Sequence, residues 1–229
     1  MIRTTLKGLA DLFLPNLCVL CEAQLGVGAE YVCDSCWGKL TPFPERTTTP
    51  LRPLRGVLDH LWIGWEYEAR VRRIVHLMKF EGRPELARKL VEEWLRIIVH
   101  PKGLQDFDLL LPVPIHPARR RERGFNQSEL LARELGSILN LPVAEGDALR
   151  VINTPSQTLL DRAERWHSVA EAFRLRPMQS FQRRKVLVVD DLATSGATLH
   201  ALATLLRRCD AAAVGGAVLT SPCGLDSQS

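Results

Sequence analysis

The sequence predicts an α/β domain built on a mostly parallel sheet flanked by helices, with a small cysteine-bearing knuckle in front of it. Three observations carry that reading. Strand-like apolar runs alternate with helix-period segments from about residue 57 onward, the pattern of βα units. One run, Val186-Leu-Val-Val189, is wholly aliphatic, as a strand covered on both faces must be. Four of the six cysteines fall between residues 15 and 40, where large apolar side chains are few, and such a stretch needs a staple to fold.

The 229 residues fit one large domain and an appendage, at roughly 150 residues per domain. The expected division is 1–45 for a terminal helix and the cysteine motif and 56–224 for the main domain. The Pro-, Thr- and Arg-rich stretch 41–55 is the linker. A composition of 46% hydrophobic and 24% charged residues is that of a chain with a real core, not a disordered one. The net charge of +4 neither demands nor excludes nucleic acid, but its distribution is uneven. Arg119, Arg120, Arg121 and Arg123 crowd together, and Arg183, Arg184 and Lys185 form a second cluster. No apolar run approaches the roughly 20 residues of a membrane span, and residues 1–14 lack a secretory h-region. The expectation is a soluble, cytoplasmic protein.

In order, residues 1–14 fit a short amphipathic helix, with Leu6, Leu9, Ala10, Phe13 and Leu14 at helical spacing. Val57–Tyr67 reads as a strand. Ala69–Phe80 reads as a helix with Val71, Ile74, Val75 and Met78 on one face. Pro84 suits a first helical turn, after which Leu86, Leu90, Val91, Trp94, Leu95 and Ile98 mark an amphipathic helix. Asp108–Val113 is a short buried strand, Gln127–Leu139 a helix, Phe173–Leu175 an edge strand and Lys185–Val189 a central strand. Gly196–Arg208 is a helix and Ala211–Leu219 a last strand of small residues.

Cys18-Val-Leu-Cys21 and Cys33-Asp-Ser-Cys36 form two C-x2-C hooks, the arrangement that places four thiolates around one tetrahedral Zn²⁺. The separation of the hooks is shorter than the roughly 15–20 residues of the common pattern. Disulfides and an iron–sulfur cluster are the alternatives; a reducing compartment disfavours the first, and cluster spacings differ from these. Four protein ligands leave no open position, so the zinc is expected to be structural. Cys209 and Cys223 read as ordinary buried small residues.

The sharpest motif is Val186-Leu-Val-Val-Asp190-Asp191-Leu-Ala193-Thr194-Ser195-Gly196-Ala197-Thr198. An apolar strand runs into two acids, then a turn of small residues, then a helix. Ligands in open α/β sheets bind beyond the carboxyl ends of strands. Amides of the turn and helix start suit a phosphate. Asp190 and Asp191 suit ribose hydroxyls or a hydrated Mg²⁺. The competing reading is that the acids merely cap the helix.

This segment resembles the phosphoribosyl pyrophosphate-binding motif of type I phosphoribosyltransferases: four apolar residues, two acids, two variable positions, then Thr-Thr-Gly. Here the triplet is Thr194-Ser195-Gly196. A second block, Pro112-Val-Pro114-Ile-His116-Pro-Ala-Arg119-Arg-Arg121-Glu-Arg123-Gly124-Phe125-Asn126-Gln127-Ser128-Glu-Leu-Leu-Ala132, resembles the signature of the ComF family of competence-associated proteins. That family also carries an N-terminal four-cysteine zinc motif, and the resemblance spans almost the whole chain. Lys79-Phe80-Glu81-Gly82 is similar to the family's pyrophosphate loop; a helix-terminal Lys and a C-cap Gly is the other reading. Gln157, Arg162, Arg165, Ala172 and Phe173 fit a third family segment, in which Trp166-His167-Ser168 stands where the family carries Asn.

The resemblance implies a type I phosphoribosyltransferase-like fold that binds phosphoribosyl pyrophosphate with Mg²⁺. Asp190 and Asp191 are expected on the ribose, and Ala193, Thr194, Ser195, Gly196, Ala197 and Thr198 on its 5-phosphate. Arg119, Arg121, Arg123 and Lys79 are expected on the pyrophosphate leaving group, with His116–Arg123 as a mobile hood. The implied work is phosphoribosyl transfer to an acceptor the sequence does not name, linked to DNA uptake in natural transformation. The alternative is a non-catalytic protein that binds single-stranded DNA or the competence machinery and uses the phosphoribosyl site as a sensor. A zinc-knuckle adaptor with a vestigial pocket is a third reading.

Overall fold

The computed structural model describes residues 17–26, 31–44, 54–98, 101–152, 171–176 and 181–223. The expected helix at 1–14, most of the linker, Gln157, Arg162, Arg165, the 166–168 run and the tail from Gly224 lie outside them. The chain forms two compact units, Met1–Thr41 and Pro42–Ser229.

In the smaller unit, Leu17 bridges Gln24 in an antiparallel hook, and α1 (Asp34–Trp37) carries the second cysteine pair. Cys18, Cys36, Val32, Trp37 and Leu40 are buried.

In the larger unit β1 (His60–Glu66) leads into α2 (Ala69–Phe80) and α3 (Leu86–Ile97). A 3-10 turn at Pro101–Asp106 precedes β2 (Leu109–Pro112), α4 (Pro117–Arg123) and α5 (Gln127–Leu139). Then come β3 (Ala148–Arg150), β4 (Phe173–Leu175), β5 (Lys185–Leu192), α6 (Ala197–Arg208) and β6 (Ala213–Ser221). The main sheet has the order β1-β6-β5-β2 and every pairing in it is parallel. β3 and β4 make a separate antiparallel pair.

Central position explains the sequence of β5: Val186 to Val189 are all buried, because both faces are covered. Val186 and Val188 join the core beneath Leu199, Leu202, Ala203 and Leu206 of α6. On the opposite face Val189 meets Val91 and Trp94 of α3 and Leu131 and Leu135 of α5. Glycines let this second layer approach. A Cβ on Gly64 would lie 2.3 Å from Trp94 Cδ1 and 2.8 Å from the Leu219 carbonyl, while the Trp94 indole N–H donates to Val218 O at 2.9 Å. Gly64→Ala is therefore expected to destabilise the protein by about 2–4 kcal/mol through overpacking and loss of that hydrogen bond. A lower urea midpoint with unchanged slope would show it.

β5 does not stop at Val189, as expected, but continues through Asp190 and Asp191 to Leu192, so both acids are strand residues. The helix after it is capped by Gly196 with φ 76° and no side-chain cap, which excludes the competing reading that the acids cap it. Cys209 and Cys223 are exposed, not buried; Cys209 is the residue on which α6 ends, where the last turn leaves the core. No helix among the described residues is long and apolar enough to cross a membrane.

Candidate active site

The carboxyl ends of β2 and β5 are adjacent in the sheet, with Pro112 opposite Val189. The segment after each therefore opens on the same edge. After β2 the chain runs Val113 to His116 and enters α4. Pro117 presets the first turn, the His116 ring nitrogen Nδ1 accepts from Ala118 N at 3.2 Å, and Gly124 at φ 84° ends the helix. Asn126 then caps α5 by accepting from Ser128 N at 3.1 Å, and its side-chain amide donates to Val113 O at 3.0 Å. One residue thus starts the helix and ties it to the end of β2.

That tie positions the next two side chains. Ser128 Oγ donates to Asp190 Oδ1 at 3.0 Å, and Gln127 Nε2 donates to Asp191 Oδ1 at 3.0 Å. The Arg-Gly-Phe-Asn-Gln-Ser string thereby acquires a structural purpose: Asn126, Gln127 and Ser128 hold the acid pair from the neighbouring helix. All five residues are buried. Lys79, at the end of α2, places its ammonium on Asp191 Oδ2 in an ion pair that is largely enclosed. Burial, then the neighbouring Asp191 charge, push the Asp190 carboxyl up to about 7, against the opposing pull of Lys79 and Ser128. Its folded value exceeds its unfolded one. Its contribution to stability is therefore greatest below about pH 4 and declines as pH rises towards 7.

Beside the acids lies the small-residue turn. Asp190 and residues 192–199 line a recess of about 30 Å³. The first four amides of a helix have no intrahelical partner, and α6 is 12 residues long, so its start offers donors to an anion. Ala193 plays a different part: its N–H donates to Thr220 O at 3.1 Å, and its carbonyl accepts from Ser221 Oγ at 2.7 Å. Both of its backbone groups anchor the turn to β6. Ser195 Oγ accepts from Ala197 N at 3.4 Å.

The expected cations divide between two clefts. Lys79, Arg119 and Arg123 line one of about 370 Å³ with Phe80, Gly82, Glu122 and Phe125. Gly82, at φ 67°, makes the turn that closes it. Arg123 lies 4.7 Å over the Phe80 ring, and burial lowers its pKa. Arg121 instead lines a separate cleft of about 690 Å³ between α4 and the β3–β4 pair. The physical reason is the helix: positions 119 and 123, four apart, share a face, and position 121 is on the other.

In the smaller unit the sulfurs of Cys18, Cys21, Cys33 and Cys36 all lie within 4.8 Å of one another, and Cys21 and Cys33 Sγ are 3.7 Å apart. A tetrahedral ion with metal–sulfur bonds of about 2.3 Å separates its sulfurs by about 3.8 Å. All four cysteines are free. Cys33 N donates to Cys18 Sγ at 3.4 Å. Burial and hydrogen bonds among the thiols push Cys36 up to about 12, so the four sulfurs resist ionising together without a cation. Donor set and spacing fit a metal ion.

Residues 127–223 match the phosphoribosyl transferase domain family. The chain is also 32% identical to DNA utilization protein YhgH of Escherichia coli K12, over 89% of this chain and 96% of that protein. The chain belongs to the ComF family of phosphoribosyltransferase-like proteins. Two further relatives agree. Competence protein F of Haemophilus influenzae is 25% identical over 83% of this chain and 90% of its own length. Competence protein ComFC of Bacillus subtilis is 28% identical over 89% of this chain and 77% of its own. A purine phosphoribosyltransferase from Pyrococcus horikoshii aligns over 60% of this chain and 71% of that one, at 16% identity and a TM-score of 0.35, a likeness too loose to carry an argument. The ComF signature runs through α4 and the start of α5, the segments that flank the acid pair. Arg150 also borders the larger cleft, and its sequence context gives no sign of it.

Proposed function

We propose that this ComF-family chain binds phosphoribosyl pyrophosphate with Mg²⁺ and transfers its phosphoribosyl group. The observation that carries the reading is the pair of buried strand-end carboxylates, Asp190 and Asp191, opening beside the amide-lined recess of residues 192–199. Asp190 and Asp191 accept hydrogen bonds from the ribose hydroxyls, and the start of α6, residues 194–198, holds the 5-phosphate. Lys79, Arg119 and Arg123 face the leaving diphosphate, for which Lys79 exchanges Asp191. The acid pair offers the hard oxygen ligands Mg²⁺ prefers, and a bound Mg²⁺ would supply neutralisation of diphosphate charge. An acceptor nitrogen gives its lone pair to the anomeric carbon as the bond to diphosphate oxygen breaks. The electron pair leaves on diphosphate, and the acceptor's proton passes to water.

The four cysteines hold one structural Zn²⁺. Thiolate ligation of this kind belongs to a reducing compartment, the cytoplasm. The names of the relatives, DNA utilization and competence proteins, support a role linked to DNA uptake.

The test is isotope exchange between labelled diphosphate and phosphoribosyl pyrophosphate. Exchange is expected on addition of a competent acceptor, and a panel of nitrogenous bases that yields none would count against catalysis. Binding also has a pH signature. A cation and sugar hydroxyls favour the ionised form of Asp190, whose carboxyl sits at about 7 without them. Affinity is therefore expected to rise with pH up to about 7 and level off above it, with proton release measurable in buffers of differing ionisation enthalpy.

One observation favours the second reading, single-stranded DNA binding with the phosphoribosyl site as a sensor. Phe80 is 61% exposed under Arg123, with Phe125 in the same cleft, and aromatic–cation pairs stack unpaired bases. Oligonucleotide anisotropy that falls with salt and with Phe80→Ala, in a protein without exchange activity, would favour it over transfer.

A further inference from the structure

We propose that Gln127 is a positioning residue that couples the two halves of the site: its amide sets the Arg123 guanidinium in the diphosphate cleft from the carboxylate, Asp191, that receives the ribose. The identity of the two halves rests on the phosphoribosyl reading above; the amide bridge between them does not.

Arg123 and Gln127 are four residues apart but belong to different helices. α4 ends on Arg123 and Gly124 turns the chain at φ 84°, while α5 begins at Gln127. The turn brings the two side chains back together, and Arg123 Nη1 donates to Gln127 Oε1. The other end of the same amide, Nε2, donates to Asp191 Oδ1 at 3.0 Å. A guanidinium only donates and a carboxylate only accepts, so the amide fits between them in one orientation. Glutamate there would set a further anion against Asp191, and lysine would meet Arg123. Gln127 is 7% exposed, and burying an amide is unfavourable unless its groups are bonded.

The bridge belongs to a closed circuit. Asp191 Oδ2 holds Lys79, and the next residue, Phe80, lies 4.7 Å beneath Arg123. Burial lowers the Arg123 pKa and the Asp191 charge opposes that shift, so guanidinium and carboxylate are within electrostatic reach. Asn126 already caps α5, and the helix makes no demand on the Gln127 side chain. Gln127 lines neither the diphosphate cleft nor the recess of residues 192–199; it reaches a ligand only through Arg123 and Asp191. Diphosphate draws Lys79 off Asp191 and breaks one link of the circuit. Gln127 is the link that then keeps Arg123 and Asp191 aligned.

The test is a double-variant cycle on the zinc-loaded full chain, with ribose 5-phosphate and inorganic diphosphate as separate probes in the presence of Mg²⁺. Arg123→Met removes no group expected on the sugar, yet it should weaken ribose 5-phosphate about five-fold by loosening the amide, the scale of coupling within one network. In a Gln127→Met background the same substitution should change ribose 5-phosphate by less than about two-fold. Loss of direct charge attraction would act in both backgrounds, so equal effects of Arg123→Met with and without Gln127 would overturn the proposal. A second measurement needs neither ligand nor the Gln127 variant. Heteronuclear NMR of the wild type, with the Gln127 side-chain amide assigned through its backbone, should show exchange with water at least about ten-fold slower than for exposed glutamines. Arg123→Met should remove that protection. An unprotected amide, or protection indifferent to Arg123→Met, would overturn the bridge. A wild type with the protected amide that binds neither probe would sink the phosphoribosyl reading and leave the bridge standing.

Discussion

Chelating the metal is expected to unfold the small unit. The described residues of 17–41 bury few apolar side chains, Leu25, Val32, Trp37 and Leu40 beside two of the cysteines, far too little to offset the entropy of ordering them. Structural zinc contributes on the order of 10–16 kcal/mol to such a motif at neutral pH, more than any other single element here. The larger unit has its own core and should keep its cooperative unfolding transition. Cys33→Ser is expected to reduce the metal content from one ion per chain to none, with loss of amide-exchange protection confined to residues 17–41. Metal analysis with hydrogen exchange checks both points. A purified, folded wild type without metal would contradict the assignment.

Neutralising the acid pair should separate stability from binding. Asp190→Asn replaces a buried carboxylate that is costly to ionise with an isosteric amide. Its melting temperature at pH 8 is therefore expected to be at least that of the wild type. Asp191→Asn strands the enclosed Lys79 ammonium and should destabilise, by about 3–5 kcal/mol. Both should weaken phosphoribosyl pyrophosphate by at least ~100-fold, about 3 kcal/mol, the scale of lost hydrogen bonds to charged groups. Thermal melts beside binding titrations distinguish this from general damage. An Asp190→Asn protein that loses binding only because it melts lower would contradict it.

Much of this was legible in the sequence because local periodicity and tertiary demand agree. Ala69–Phe80 and Gln127–Leu139 are helices over those same bounds, since amphipathic spacing, Asn126 and the αL residue Asn140 all point one way. β3 was not legible: Ala148-Leu-Arg150 is three residues with no alternation, and its partner β4 lies more than twenty positions on. The arginine cluster shows the other kind of loss. As a loop, Arg119, Arg121 and Arg123 form one patch; as a helix begun by Pro117, they point to two clefts. The acid pair was visible as a motif, but its holders were not. Lys79, Gln127 and Ser128 reach Asp190 and Asp191 only through the fold, and no spacing encodes such contacts. Cys209 misled because a cysteine without a ligand-spaced partner reads as a small buried residue, while α6 ends on it at the surface.

A phosphoribosyl diphosphate is expected to bind across the end of β5. Calorimetric titration of phosphoribosyl pyrophosphate into zinc-loaded wild-type protein tests it most directly, with and without Mg²⁺ and against the Asp190→Asn/Asp191→Asn double variant. One saturable site per chain is expected, requiring Mg²⁺ and disappearing in the double variant. A folded wild type that gives no binding heat in two buffers of different ionisation enthalpy, or a double variant that binds as well as the wild type, would contradict it.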